Sequence, residues 1–212
     1  MRKAALGILV SGTGTNMASI AEKCLNGTLP ASVSVVISSR EKAPAIEKAR
    51  AYGIPTYIVR RKDYGNQIEY EEKMIEILKA HGVDLVVLAG FLNILSPHFV
   101  SAFRWRIINV HPSLIPSFCG PGYYGMKVHE SVLRYGVKVT GATVHFVDES
   151  VDGGPIILQK AIEVRDDDTP ETLAERVRTI EHELLAEAIR LIIEDRLQIV
   201  GRRVIVRRED HA

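Results

Sequence analysis

The 212-residue sequence lacks the features that mark several classes of protein. Its two cysteines, Cys24 and Cys119, stand far apart and form no CxxC pair, which argues against a disulfide framework or a zinc site. Lys and Arg number 27 and Asp and Glu 26, so we expect no basic surface for nucleic acid or for an anionic membrane. No apolar run approaches the roughly 18 residues of a transmembrane helix. The histidines show no HxxxH or HExxH spacing, so we expect no bound metal.

The sequence also lacks internal repeats and low-complexity linkers. Its short apolar start ends at residues 11–14 with no small-residue cleavage pattern after it, so we expect a first strand there and no signal peptide. Hydrophobic residues make up 46% of the chain and charged residues 25%, which is ordinary for a folded globular protein. We therefore expect a cytoplasmic protein. The length allows one or two domains, and we predict a single domain over residues 1–212, as a monomer or a homodimer.

Short apolar runs alternate with amphipathic segments, which is typical of an α/β fold. The apolar runs cover residues 6–10, 33–37, 56–59 and 85–88. Their continuous apolar character predicts parallel strands that are covered on both faces. Helices are predicted between them at residues 15–25, 43–51 and 70–80. The pattern favours a Rossmann-like, open, mostly parallel sheet with helices on both faces.

The second half of the chain changes character. A short strand at 107–110 runs into a loop rich in Pro and Gly at 112–125. Alternating residues at 141–147 and 156–164 predict antiparallel or mixed strands. Thr169 is a credible N-cap for a long helix that starts at Pro170. Two short strands at 198–200 and 204–206 and a frayed charged end at 207–212 complete the predicted elements.

A glycine loop, Ser-Gly-Thr-Gly-Thr-Asn at residues 11–16, lies between the first strand and the first helix. Such a loop directs backbone N–H groups and the positive end of a helix at an anion. Gly12 and Gly14 let the backbone come close, and Thr15 and Asn16 add side-chain donors. A dinucleotide fits poorly because Met17 occupies the third glycine position of its fingerprint. A phosphomonoester fits better, and a tight turn that binds no ligand is the alternative.

Asn109 and His111 carry the most chemistry. Residues two apart on a strand project to the same side, so both side chains are expected to aim at one point above the carboxyl edge of the sheet. An amide N–H and a protonated imidazole form a plausible pair for stabilising an oxyanion. The alternative is a capping Asn and a structural His at the end of a strand, and these residues alone leave both interpretations open.

Asp152 is the third candidate, because the two glycines that follow it allow a sharp turn that could bring its carboxylate to His111. A carboxylate beside an imidazole favours and orients the charged imidazolium. It can also receive a proton that the reaction releases. The alternative is an Asp-Gly turn without function. For His145, on the alternating run 141–147, we expect a hydrogen-bonded and partly buried role.

The chain resembles the folate-dependent phosphoribosylglycinamide formyltransferases of purine synthesis over nearly its whole length. The resemblance rests on six segments taken in order, at residues 11–16, 88–91, 94–97, 109–114, 144–147 and 152–155. It implies that the catalytic Asn, His and Asp of the family fall on Asn109, His111 and Asp152. It also implies a phosphate cradle at Gly14, Thr15 and Asn16.

The resemblance further implies a slot for the folate pterin at residues 92–95 (Leu92, Asn93, Ile94 and Leu95) and at the loop 147–152, which begins with Val147 and Asp148. A glutamate that contacts the glycinamide substrate falls on Glu181. The implied co-substrate is 10-formyltetrahydrofolate. By the same resemblance, residues 1–100 form a phosphate-binding half and residues 101–212 a folate-binding and catalytic half.

Three departures from the family pattern stand out. Asn93 and Gln67 occupy positions where familiar members carry arginine, and the loop 117–125 is longer than the common form. The implied reaction is a direct attack of the substrate amine on the formyl carbon through a tetrahedral intermediate. A methionyl-tRNA formyltransferase would need a further domain and a basic surface for tRNA. A 10-formyltetrahydrofolate hydrolase and a non-catalytic nucleotide-binding module are the remaining alternatives.

Overall fold

The computed structural model describes residues 2–207, so all but the first residue of the charged end 207–212, expected to fray, lies outside the described residues. Nine strands form one sheet. They are β1 (Ala4–Val10), β2 (Ala31–Ser38), β3 (Thr56–Ile58), β4 (Leu85–Leu88), β5 (Ile107–His111), β6 (Val139–Phe146), β7 (Ile156–Glu163), β8 (Leu197–Val200) and β9 (Arg203–Val206).

Six α-helices lie between these strands in the described part of the chain, together with one turn of 3₁₀ helix at Arg61–Asp63. The α-helices are α1 (Thr15–Leu25), α2 (Pro44–Ala51), α3 (Gln67–Ala80), α4 (Pro97–Ala102), α5 (Met126–Tyr135) and α6 (Pro170–Ile193). None of these helices is long and apolar enough to cross a membrane.

The order of strands across the sheet is β3-β2-β1-β4-β5-β6-β7-β9-β8. Neighbouring strands from β3 to β5 run parallel, and β6 runs antiparallel to both β5 and β7. The expected parallel sheet with mixed strands in the C-terminal half is therefore confirmed. Because the chain progresses outward in opposite directions from β1 and β4, a crevice opens where the carboxyl ends of these two strands diverge.

Side chains of β1 alternate between two separate hydrophobic cores, one on each face of the sheet. Leu6, Ile8 and Val10 are fully buried in a core that includes α1 and α6. Leu9, equally buried, belongs to the other core, which includes α3 and α4. Helices therefore cover both faces, as predicted, and they explain why β1 needs apolar residues at consecutive positions.

Helix caps decide where two helices begin. The Thr169 hydroxyl accepts a hydrogen bond from the Thr172 N–H, and the Thr172 hydroxyl accepts one from the Thr169 N–H, so the predicted start of α6 is confirmed. The predicted start of α3 was three residues late. The side chain of Asn66 accepts a hydrogen bond from the Glu69 N–H, so the helix begins at Gln67.

The sequence patterns did not predict α4 and α5. The six-residue α4 is too short for a periodic apolar stripe, although Ser96 and Pro97 supply its cap and first position. In α5, Val128 and Val132 are fully buried four residues apart. The glycine-rich residues before them conceal this pair, so the segment had no predicted structure.

Gly141 on β6 gives a test of the sheet packing. A Cβ atom at this position would collide with the carbonyl oxygen of Lys160 on β7 and would lie 2.9 Å from a methyl group of Leu114. Both neighbours are held by surrounding structure, so Gly141→Ala should lower the free energy of unfolding by about 2 kcal/mol, measured by urea denaturation. Gly12→Ala is the matched control because a Cβ there meets no atom within 4 Å. Equal stability of the two variants would contradict the expectation.

Candidate active site

The structure brings Asn109, His111 and Asp152 together. Asn109 and His111 lie on β5, and the loop after β6 carries Asp152 beside them. The Nδ2 atom of Asn109 donates to Oδ1 of Asp152 at 3.4 Å, and Nδ1 of His111 lies 3.6 Å from Oδ2 of the same carboxylate. His111 is only 4% exposed, so this contact is largely shielded from water.

Asp152 is held in place by its backbone as well as by its side chain. Its φ angle is 54°, in the left-handed region that only a few per cent of non-glycine residues adopt. Its Oδ2 atom also accepts a hydrogen bond of 2.9 Å from the N–H of Gly120, across the cleft. The carboxylate therefore joins β5, the loop after β6 and the loop 117–125.

The two nitrogens of His111 face different groups. Nε2 donates to the backbone carbonyl of Phe118 at 2.9 Å, and the same carbonyl lies 3.4 Å from the Ser113 hydroxyl that donates to it. Nδ1 therefore faces Asp152 and the cleft. With the Nε2 proton committed to a carbonyl, the ring can donate from Nδ1 only when it carries both protons.

His145 lies next to the three residues and contacts Asn109. Its Nδ1 donates to the carbonyl of Phe146 at 2.8 Å, which leaves Nε2 to accept from Nδ2 of Asn109 at 3.2 Å. Burial lowers the pKa of His145, which keeps the ring neutral in this role. The expected hydrogen-bonded role is therefore found, but the ring is fully rather than partly buried and it fixes the Asn109 amide.

A cavity of about 490 Å³ opens above these residues, within the size range of small-molecule sites. The predicted folate residues line it: Leu92, Asn93, Ile94, Leu95, Val147 and Asp148, together with Asn109, His111 and Asp152. Its other lining residues include Arg40, Tyr123 and Tyr124, which the sequence patterns did not assign to this site.

Residues of α3 hold one wall of the cavity. Nδ2 of Asn93 donates to the hydroxyl of Tyr70 at 2.8 Å. Glu71, fully buried, accepts hydrogen bonds from Nε2 of Gln67 at 2.6 Å and from the N–H of Ser96 at 2.7 Å. The Asn93 and Gln67 side chains thus stabilise the protein wall and bring no positive charge to the cavity.

The glycine loop adjoins the cavity without lining it. Ser11 donates its N–H to the carbonyl of Gly90 at 3.1 Å, and its hydroxyl accepts from the N–H of Leu92 at 2.9 Å. Gly14 has a φ angle of 70°, and a Cβ atom there would lie 2.5 Å from that of Ala45, so only glycine fits between the loop and α2. The loop ends at the first turn of α1, where N–H groups can receive an anion.

Asn16 and Glu181 are joined across the face of the sheet. Nδ2 of Asn16 donates to Oε2 of Glu181 at 2.7 Å, while the buried Oδ1 of Asn16 has no hydrogen-bond partner. Burial raises the pKa of Glu181, and the bond from Asn16 acts in the opposite direction. Neither residue lines the cavity above the three polar side chains. Gly12 and Thr15 likewise lie outside its lining.

The sequence patterns did not point to Arg178 as a residue near the candidate site. It lies one turn before Glu181 on α6, and its positive charge lowers the pKa of Glu181, His129 and His182. The three-residue spacing from Glu181 was a signal that could have found it.

Within residues 2–207, no group of three His, Cys, Asp or Glu side chains could hold a metal ion.

A sequence model described as formyl transferase matches residues 4–189 of the chain. The phosphoribosylglycinamide formyltransferase of Bacillus subtilis (strain 168) is 37% identical over 186 residues, 88% of this chain and 93% of that protein. The trifunctional purine biosynthetic protein adenosine-3 of Homo sapiens is 39% identical over 198 residues, 93% of this chain. The chain spans only 19% of the length of that relative.

Two solved structures are also similar over most of the chain. Glycinamide ribonucleotide transformylase 1 from Symbiobacterium toebii matches with a TM-score of 0.91 and 42% identity, over 97% of this chain and 94% of that one. A formyltetrahydrofolate deformylase from Pseudomonas syringae pv. tomato str. DC3000 matches with a TM-score of 0.87 and 27% identity, over 98% of this chain and 67% of that one.

His129 on α5 should make the protein sensitive to acid. Burial lowers its pKa from 6.5 to about 4, and the charges of Arg178 and His111 act in the same direction. The unfolded chain therefore binds this proton first as the pH falls, and stability is lost between about pH 6.5 and pH 4. The full effect amounts to about 3 kcal/mol.

His129→Gln should therefore flatten the decline in free energy of unfolding over this pH range, as measured by urea denaturation at several pH values. His81→Gln is the control, because His81 is only partly buried. An equally steep decline in the His129→Gln variant and in the unaltered protein would show that the buried imidazole does not limit acid stability.

Proposed function

The chain belongs to the formyl transferase family, and we propose that it transfers the formyl group of 10-formyltetrahydrofolate to the amine of phosphoribosylglycinamide, a step of purine biosynthesis. The observation that carries the proposal is the convergence of Asn109, His111 and Asp152 at one cavity. The names of the relatives that align over most of the chain support the same substrates.

Asn109 and His111 are proposed to stabilise the oxyanion. The substrate amine attacks the formyl carbon, a C–N bond forms, and the carbonyl electrons move to the oxygen of a tetrahedral intermediate. The Asn109 N–H that makes the long 3.4 Å contact with Asp152 turns to that oxygen, and Nδ1 of protonated His111 donates to it as well. Because neighbouring groups hold both side chains beside the reacting centre, each donor is expected to contribute about 3–4 kcal/mol to lowering the barrier.

Asp152 is proposed to orient His111 and to take part in the proton transfer. The attacking amine gains positive charge and must lose a proton before the intermediate collapses. The Asp152 carboxylate, directly or through a water molecule, relays this proton to the folate nitrogen that leaves as its bond to the formyl carbon breaks. No covalent bond to the protein is required.

The two substrates are proposed to enter from opposite sides. Gly12, Gly14, Thr15 and Asn16 hold the phosphate at the start of α1, and Glu181 contacts the ribosylglycinamide. Leu92, Asn93, Ile94, Leu95, Val147 and Asp148 hold the folate, whose flat ring suits a cavity of this volume with apolar walls. Positioning both substrates in one cleft contributes roughly 7–11 kcal/mol at best.

The remaining expectations extend this proposal. Residues 1–100 are proposed as the phosphate-binding half and residues 101–212 as the folate-binding and catalytic half of a single domain. The partners are small molecules, with neither nucleic acid nor membrane among them, and no metal enters the reaction. The protein is proposed to act in the cytoplasm as a monomer or a homodimer.

Hydrolysis of 10-formyltetrahydrofolate is a second candidate function, and one observation supports it. The deformylase structure shares this fold, and water could replace the amine at the same three residues. Identity to that protein is 27%, against 42% to the transformylase structure. Consumption of 10-formyltetrahydrofolate should therefore depend on added phosphoribosylglycinamide. Equal consumption with and without it would favour the hydrolase.

His111→Ala should lower kcat for formyl transfer by about 100- to 1000-fold, since it removes one oxyanion donor. Thermal unfolding should show that the variant remains folded. His98→Ala is the matched control, because His98 is half-exposed and pairs with Glu72 on α3, away from the cavity. A kcat near that of the unaltered enzyme in the His111→Ala variant would refute the mechanism.

A further inference from the structure

The loop 117–125 contacts both of the ionisable side chains proposed to act in catalysis. The carbonyl of Phe118 accepts the Nε2 proton of His111 at 2.9 Å, and the N–H of Gly120 donates to Asp152 at 2.9 Å. The direction of this short stretch of backbone therefore decides which imidazole nitrogen of His111 remains available to the cleft.

Phe118 adopts an unusual backbone conformation at this point. Its φ angle is 50°, in the left-handed region that is an outlier for a bulky side chain. A glycine would reach the same conformation without strain. A large residue stays there only when the surrounding structure holds it, and such strain is typical of functional sites.

The ring of Phe118 contacts two aromatic rings and a hydrophobic core. It meets the ring of Tyr135 edge-to-face, with centroids 5.9 Å apart, and that of Tyr123 edge-to-face at 6.3 Å. It also packs against the hydrophobic core that contains α1 and α6. Tyr135 ends α5 and Tyr123 lines the cavity, so the Phe118 ring connects the rim of the site to a helix of the core.

We propose that Phe118 is a positioning residue, whose packed ring directs its own carbonyl to the Nε2 proton of His111 and thereby turns Nδ1 toward the reacting carbonyl group. The inference rests on the proposed function. With Nε2–H held, the protonated ring presents Nδ1 as its one donor to the formyl oxygen. The ring also stays oriented with Nδ1 beside the Asp152 carboxylate. When the ring of Phe118 is lost, the carbonyl can turn away, and the imidazolium form of His111 then lacks the acceptor of its Nε2 proton.

Several titratable groups surround His111, and a pH effect has to be read against them. Asp152 faces its Nδ1, His145 on β6 lies against the same carboxylate, and His129 on α5 is close enough for its pKa to respond to the His111 charge. Cys119 follows Phe118, and burial raises the pKa of its thiol. Replacing Phe118 removes none of these groups.

The first measurement needs no substrate. In protein labelled with ¹⁵N-histidine, Nε2–H of His111 should give a slowly exchanging signal, assigned by its absence in His111→Ala. In Phe118→Ala, exchange of this proton with water should be at least tenfold faster. Trp105→Ala is the matched control, since Trp105 also has a left-handed backbone (φ 57°) and an edge-to-face contact, with Phe146. Its removal should leave the His111 signal unchanged.

The second measurement is the pH profile of formyl transfer. Phe118→Ala should lower kcat about tenfold, with KM for both substrates within threefold, and should move the alkaline decline in kcat to lower pH. Phe118→Tyr, which keeps the ring, should restore kcat to within twofold. If the alanine variant does not fold, Phe118→Leu takes its place under the same criteria.

Three results would overturn the inference. One is exchange of the His111 proton in Phe118→Ala within twofold of the unaltered protein. Another is faster exchange with kcat unchanged, since the held proton would then not matter for transfer. The third is a lower kcat with an unchanged pH profile, because a general disturbance of the structure would give the same result. If the unaltered chain shows no formyl transfer at all, the proposed function fails, while the exchange measurement still decides whether Phe118 positions His111.

Discussion

The rest of the site depends on the hydrogen bonds and close contacts of the Asp152 carboxylate. It receives hydrogen bonds from Asn109 and Gly120 and lies within 4 Å of the imidazoles of His111 and His145. These groups come from β5, β6 and the loop 117–125, so one charge joins three parts of the chain. The Asp152 side chain is only 13% exposed, and it needs such partners because leaving a carboxylate unpaired away from water is strongly unfavourable.

The sheet explains why these partners can meet. Asn109 and His111 are two residues apart on β5 and project to one side at its carboxyl end, next to the crevice where β1 and β4 diverge. β6 pairs antiparallel with β5, with His145 opposite Asn109, so its last residues lie toward the amino end of β5. The loop that follows carries Asp152 back to Asn109 and His111.

Much of this arrangement followed from the sequence, and the part that did not has a physical reason. Apolar runs and caps predicted the strands and most helices, because burial on both faces and unpaired helix ends leave local patterns. The approach of Asp152 to His111 could only be hypothesised, since 40 residues lie between them in the sequence and no local rule fixes their distance. The role of the Asn93 and Gln67 positions was also invisible. Their partners, Tyr70 and Glu71, are set by the packing of α3 against the cavity wall.

The hydrogen bonds also assign different tasks to two histidines that share one carboxylate. His145 donates from Nδ1 to a backbone carbonyl and accepts from Asn109 at Nε2, so a second proton there would displace the Asn109 amide. Burial lowers the pKa of His145 in agreement with this. His111 instead faces an acceptor with each nitrogen, the Phe118 carbonyl and the Asp152 carboxylate. The geometry therefore offers an acceptor to each nitrogen of His111, whereas Nε2 of His145 already accepts from Asn109. The neutral ring then orients the amide donor of the proposed oxyanion site, while the protonated ring supplies the other donor.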